Sequence, residues 1–190
     1  MPGALDDSGL LESVRAFRPT AAASVGMDAF SFDPSFRTLC EANHCGHYNR
    51  NWTCPPHVGD TDTLVREARR FGRAIVYQGV SEIRHPMDWP GTLKAGDDFH
   101  RLTMAIMDGL VPKLGKALLL GCGPCRNCDP CAIRSQEPCR HPGKAIRSLE
   151  ANCVDVGALA ARCGMKYVNG PGTVTFFGSL LYGPADDGEG

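Results

Sequence analysis

The chain has no long hydrophobic run. Its apolar stretches, such as Ala117 to Leu120, fall far short of the ~20 residues that span a bilayer, so no membrane-crossing helix is expected. Met1 to Asp7 is acidic and lacks a basic stretch followed by an apolar one, so no secretory signal is read there and a cytoplasmic setting is expected. Charge of one sign is missing too: the net charge is −1, which argues against nucleic-acid binding driven by charge. No internal repeat or low-complexity tract breaks the chain. There is no nucleotide-binding glycine loop, no Ser/His/Asp signature and no radical-enzyme C-x3-C-x2-C run, so no familiar reaction can be assigned.

Cysteine is what the chain has in excess: 10 among 190 residues. Seven of them form two compact sets. The first is Cys40, Cys45 and Cys54; the second is Cys125, Cys128, Cys131 and Cys139. In a reducing compartment, thiols this dense favour metal or redox chemistry over disulfides. The chain is 43% hydrophobic, enough to fill a core without metal, so metal sites are expected to lock loops onto a folded body.

The second set carries the stronger signal. The two-residue spacers of Cys125-x2-Cys128-x2-Cys131 let successive thiolates turn toward one centre, with Pro124 and Pro130 restricting the loop. Three cysteines in this rhythm plus a more distant fourth match the way ferredoxins hold a [4Fe–4S] cluster. Here Cys139 follows after seven residues, a longer gap than in ferredoxins. Zinc is the competing metal, held by four thiolates at ~2.3 Å, but its sites favour two separated C-x2-C knuckles. Cys122 adds a further two-residue step and is an alternative ligand to Cys139. The cations Arg126, Arg134, Arg140, Lys144 and Arg147 crowd this set; they can tune an anionic cluster, dock an acidic redox partner, or simply be solvated.

The first set offers three cysteines and leaves a fourth ligand open. One reading is zinc on Cys40, Cys45, Cys54 and His57, since Cys54-Pro-Pro-His57 is itself a two-spacer chelate. A second is another iron–sulfur cluster completed by Cys122, Cys153 or Cys163. A third is a cluster with one open iron, a Lewis acid able to bind a small ligand. His44 and His47 flank Cys45 and are further candidates, or plain loop residues. Pro55 and Pro56 are expected to force an extended exit after Cys54, and Trp52 can shield a cluster or only pack. Cys163 reads as a small core residue.

Between the sets lies an α/β pattern. Asp60 or Thr61 caps a helix with Leu64, Ala68 and Phe71 on one face, ended by Gly72. Ala74 to Gly79 is a buried strand, Val80 to Gly91 a loop, and a helix from Gly96 or Asp97 carries Phe99, Leu102, Ile106 and Leu110. Ala117 to Leu120 is a second strand. Strand, helix and strand predict a right-handed βαβ unit with parallel strands, placing the second cysteine set at a strand's C-terminal edge, where open α/β sheets bind ligands. A short helix is expected from Leu10 to Phe17, another from Val156 to Gly164, and a last strand over Thr173 to Tyr182.

The motifs resemble those of one family. Cys40-x4-Cys45 with Asn43, Gly46 and Tyr48, then Asn51-Trp52-x-Cys54-Pro55-Pro56, are similar to the first half of domain of unknown function 2284, described as predicted metal-binding proteins. Gly123-Pro124-Cys125-x2-Cys128-x2-Cys131, Pro138-Cys139-Arg140-x-Pro142 and Ser148-x-Glu150-Ala151 resemble its second half. The resemblance runs from Leu39 to Tyr182 and implies a metal-binding protein with the seven cysteines as matched positions, but no reaction. Asn152-Cys153 and Cys122 depart from the pattern. The expectation is a single α/β domain over 8–182, with loose tails at 1–7 and 183–190. It has a small, mainly parallel sheet and cysteine-rich loops holding one or two [4Fe–4S] clusters, or zinc. A redox partner protein or a small ligand at an open iron is the expected partner.

Overall fold

Alternation along two long strands sets the architecture. In β2 (Phe71–Glu82), Ala74 and Val76 face one side of the sheet, and Ile75 and Tyr77 face the other. β5 (Thr173–Pro184) repeats this with Leu181 on the first side and Leu180 and Tyr182 on the second. Both strands are therefore covered on both faces. The structure, a computed structural model, describes residues 6–185. Helices α1 (Asp7–Arg15) and α4 (Trp89–Leu110) cover one face, contributing Leu10, Val14, Phe99, Ile106 and Leu110. The other face takes Ala68 of α3 (Thr61–Ala68) and Val156, Leu159 and Ala160 of α5 (Val156–Arg162). A short helix, α2 (Phe36–Glu41), lies outside these layers.

The mainly parallel sheet expected from the sequence does not form. The order is β1-β2-β5-β3-β4, with β1 (Ala21–Gly26), β3 (Ala117–Gly121) and the two-residue β4 (Arg147–Ser148) completing it. β1–β2, β2–β5 and β5–β3 are antiparallel, and β3–β4 alone is parallel. β2 and β3 do run the same way across α4, but β5 enters between them. Local pattern shows that a strand is buried without showing which strand lies beside it. The 12-residue β5, apolar on both faces, takes the inner place where both of its edges are paired.

Helix starts follow their caps. Asp60 accepts from the Thr63 N–H at 2.8 Å. α4 begins at Trp89, a turn and more before the expected Gly96. Asp88 accepts from the Gly91 N–H at 3.1 Å, and Pro90 occupies the first turn, where a missing N–H costs nothing. Pro86 and Pro90 read as loop in the sequence, although Pro90 marks a helix start. Gly72 does not end α3; it lies in β2, where a Cβ would meet the Pro184 carbonyl oxygen at 2.3 Å. α5 closes on Gly164 (φ +68°), with Gly164 N–H donating to Ala161 O and Met165 N–H to Ala160 O, a Schellman turn.

The expected tails lie mostly outside the described residues. Within them, Asp6 caps α1, Asp7 accepts from the Tyr182 hydroxyl, and β5 runs to Pro184. No helix among the described residues is long and apolar enough to cross a membrane. Because the core is built from aliphatic and aromatic side chains on β2, β5 and the helices, chelation should loosen the cysteine loops and spare the sheet. Hydrogen exchange checks this: lost protection over β2 and β3 after chelation would show that metal supports the whole fold.

Candidate metal centre

β3 delivers the chain to Cys122 and then to an irregular loop that carries the second set. Cys125, Cys128, Cys131 and Cys139 line one small internal space together with Asn51, Trp52, Thr53 and Asn127. Cys131 is buried and the other three are half-buried. The His141 N–H donates to Cys139 Sγ at 3.4 Å. Asn127 ties the loop down, its amide donating to the Lys144 carbonyl and its Oδ1 meeting His100 Nε2 of α4 at 3.2 Å. Burial raises the Cys125 thiol. The Asn127 backbone N–H opposes that rise, and the neighbouring Cys128, Cys139 and Cys131 add to it.

The first set is shaped by turns. Cys40 sits in the last turn of α2. Asn43 adopts a left-handed conformation (φ +56°), and its Oδ1 accepts from the Tyr48 N–H at 3.0 Å, curling the chain around Cys45. After Cys54 the expected extended exit is absent. The Pro55–Pro56 peptide is cis, and a turn closes with Val58 N–H donating to Cys54 O at 3.1 Å. Burial pushes the Cys54 thiol up to about 12, and Cys45, Cys40 and Cys125 lie near enough to add to it. Burial also raises Cys40; Arg37 opposes this, while Cys45, Glu150 and Cys153 reinforce it. A Phe32–Val154 bridge and an Asp33 N–H bond to Cys153 O pin the segment before α2 beside the turn at Glu150.

The fold joins the two sets. Cys125 N–H donates to Thr53 Oγ1 at 3.1 Å, and Trp52 Nε1 donates to the Glu137 carbonyl at 3.1 Å. Thr53 is 3% exposed, so its hydroxyl is a fixed part of the second set's support. Beside them opens a cavity of about 440 Å³, which shares Asn51, Cys125, Cys128 and Cys131 with the smaller internal space. Those three cysteines form the wall between the two.

The remaining sequence candidates are dispersed. His57 Nε2 pairs with Asn49 Oδ1 at 2.7 Å, and the His57 ring packs edge-on to Trp52. His44 is exposed, whereas His47 lines the larger cavity, its basicity lowered by burial and by Arg126 and Arg50. Cys122 lines a different pocket, with Phe99, Thr103 and Ile146 under α4, and burial raises its thiol. Cys153 is fully buried beside Cys40, and Cys163 caps α5 against the core. Of the five cations, Arg126 pairs with Asp97, Arg140 with Glu137, Lys144 with Asp108 and Arg147 with Glu67. Sequence reasoning gave no role to Thr53 or Glu150. Thr53 had only its place beside Cys54 to signal it. Burial raises the Glu150 carboxyl, opposed by hydrogen bonds from its own backbone and from Ser148, and it stands near both Cys40 and Cys122.

The donor set is chemically suited to a soft or borderline metal, since thiolate sulfur favours zinc and iron–sulfur clusters. The loops are not a finished socket. Among the described residues no three His, Cys, Asp or Glu side chains are gathered tightly enough to grip an ion. The space between the four cysteines is only about 10 Å³, so the loop must adjust around whatever it holds.

A two-faced α/β sheet with cysteine loops gathered at one edge is the body of a cysteine-rich metal-binding protein. The chain belongs to the family of predicted metal-binding proteins designated domain of unknown function 2284, whose sequence profile matches residues 23–182. No curated protein and no solved structure matches it.

Proposed function

We propose that the protein is a cytoplasmic iron–sulfur protein whose Cys125, Cys128, Cys131 and Cys139 hold a [4Fe–4S] cluster with a redox or cluster-dependent role. Cys40, Cys45 and Cys54 serve a second metal site. The carrying observation is that the four cysteines of the second set line one space, with three of them also walling a larger cavity. A cluster there supplies one-electron chemistry. The His141 N–H aimed at Cys139 Sγ stabilises thiolate charge, and Trp52 lines the same space. The larger cavity gives a small ligand or a redox partner protein access to this wall.

The test is protein purified without oxygen and assayed together for iron, acid-labile sulfide and zinc. Broad visible absorbance that bleaches on reduction is the expected result, and stoichiometric zinc without sulfide overturns it. The tightness of the space among the cysteines favours zinc as the second reading, in which the metal staples the loops and does no chemistry.

Uptake of metal must release protons, because burial keeps Cys54, Cys40 and Cys125 protonated at neutral pH. Apparent affinity should therefore rise with pH, by up to about tenfold per pH unit for each proton displaced. Metal titrations of stripped protein between pH 6 and pH 8 should show about this slope, and a flat profile would contradict thiol ligation.

A further inference from the structure

The cavity of about 440 Å³ lies within the size range of small-molecule sites and draws its walls from both cysteine loops and from α4. Three arginines line it: Arg50 from the first loop, Arg126 and Arg134 from the second. Arg126 is built in. Its Nη1 meets Asp97 Oδ1 at 2.5 Å, and its guanidinium lies over Gly96 of α4. A Cβ at Gly96 would come within 2.8 Å of Arg126 Nη2 and 3.3 Å of its Cζ. Glycine weakens a helix interior, and here it leaves the room that the guanidinium occupies.

Arg50 and Arg134 form no ion pair among the described residues. The carboxylates of Asp97 and Asp129 also line the cavity, and Asp97 is engaged by Arg126. Two arginines without an ion-pair partner and one positioned guanidinium line a single concave space, a composition suited to oxygen anions. Leu93 and Pro124 supply an apolar wall beside them.

We propose that this cavity binds a small organic anion, its carboxylate or phosphate oxygens held by Arg50, Arg126 and Arg134 beside the Cys125–Cys131 wall. Binding stands on the cavity alone; only its coupling to electron transfer rests on the iron–sulfur reading. An anion binds better beside an oxidised cluster than beside a reduced one, which carries one more negative charge. By linkage the bound anion then lowers the cluster's reduction potential.

The probes are inorganic phosphate and citrate, titrated calorimetrically at low salt into protein purified without oxygen. Binding of either at millimolar concentration or below is expected, and the preferred probe names the class of anion. Arg50→Ala with Arg134→Ala should weaken it at least roughly tenfold, and Gly96→Ala, which displaces only the movable end of Arg126, should weaken it by less. Gly96→Ala should do so with an unchanged or raised melting temperature, since alanine favours the helix. Arg66→Ala on α3 should leave binding intact. No binding of either probe, or undiminished binding in the double arginine variant, would overturn the proposal. Acid-labile sulfide measured on the same samples keeps the two readings apart: its absence ends the cluster reading, while the titration still decides the anion site. With sulfide present, the midpoint potential should fall when the anion is added, and a rise would refute the coupling.

Discussion

Replacing Cys131 by Ala should empty the second set of metal, whereas replacing Cys122 by Ala should leave it loaded. Cys131 is 9% exposed and faces the space shared with Cys125, Cys128 and Cys139. Cys122 lies only six residues from Cys128, yet it turns into a separate pocket with Phe99 and Thr103. Losing a thiolate should cost more than the roughly 10- to 100-fold that outer-shell changes cost in metal affinity. Thr53→Val sits in that lower range: it removes the acceptor for Cys125 N–H without touching a thiol. Iron, sulfide and zinc per chain, measured side by side, give the ordering. If Cys122→Ala strips the metal as fully as Cys131→Ala, the assignment of Cys139 as the fourth ligand fails.

The contrast between Cys122 and Cys131 shows where spacing stops being informative. Both fit a two-residue rhythm, but Cys122 follows directly on β3, so its direction is set by the strand and the packing under α4. Spacing did locate the second set at the end of a strand, because an apolar run followed by Cys-Gly-Pro-Cys has few other readings. It could not report β5, which enters the sheet from far along the chain and turns a supposed parallel pair into two antiparallel ones. Nor could it report that Trp52 and Thr53 bind the second set, since those bonds span 85 and 72 residues. The start of α4 falls inside the segment that reads as a loop, because Pro90 is a first-turn residue there. Local chemistry was legible, and long-range partnership was not.

For the first set, Cys54→Ser should abolish metal binding there while His57→Ala leaves it nearly unchanged. Cys54 is held between two turns, beside Cys40 and Cys45 on one side and Cys125 on the other. His57, though it follows in a chelating spacing, gives its Nε2 to Asn49 and its ring to Trp52. Ligation through Nε2 would require that 2.7 Å contact to break. The groups that do stand near Cys40 are Glu150 and Cys153, so a fourth donor comes from the α2 side or the position stays open to a small ligand. Glu150→Gln and Cys153→Ala together separate these: loss of the donating carboxylate or thiol weakens metal retention in one of the two variants, whereas an open position is unaffected in both. The spectrum contributed by Cys125–Cys139 should persist in the His57 and Glu150 variants, which report loop by loop. Equal metal loss in Cys54→Ser and His57→Ala would make the site a Cys₃His zinc centre and remove the open position altogether.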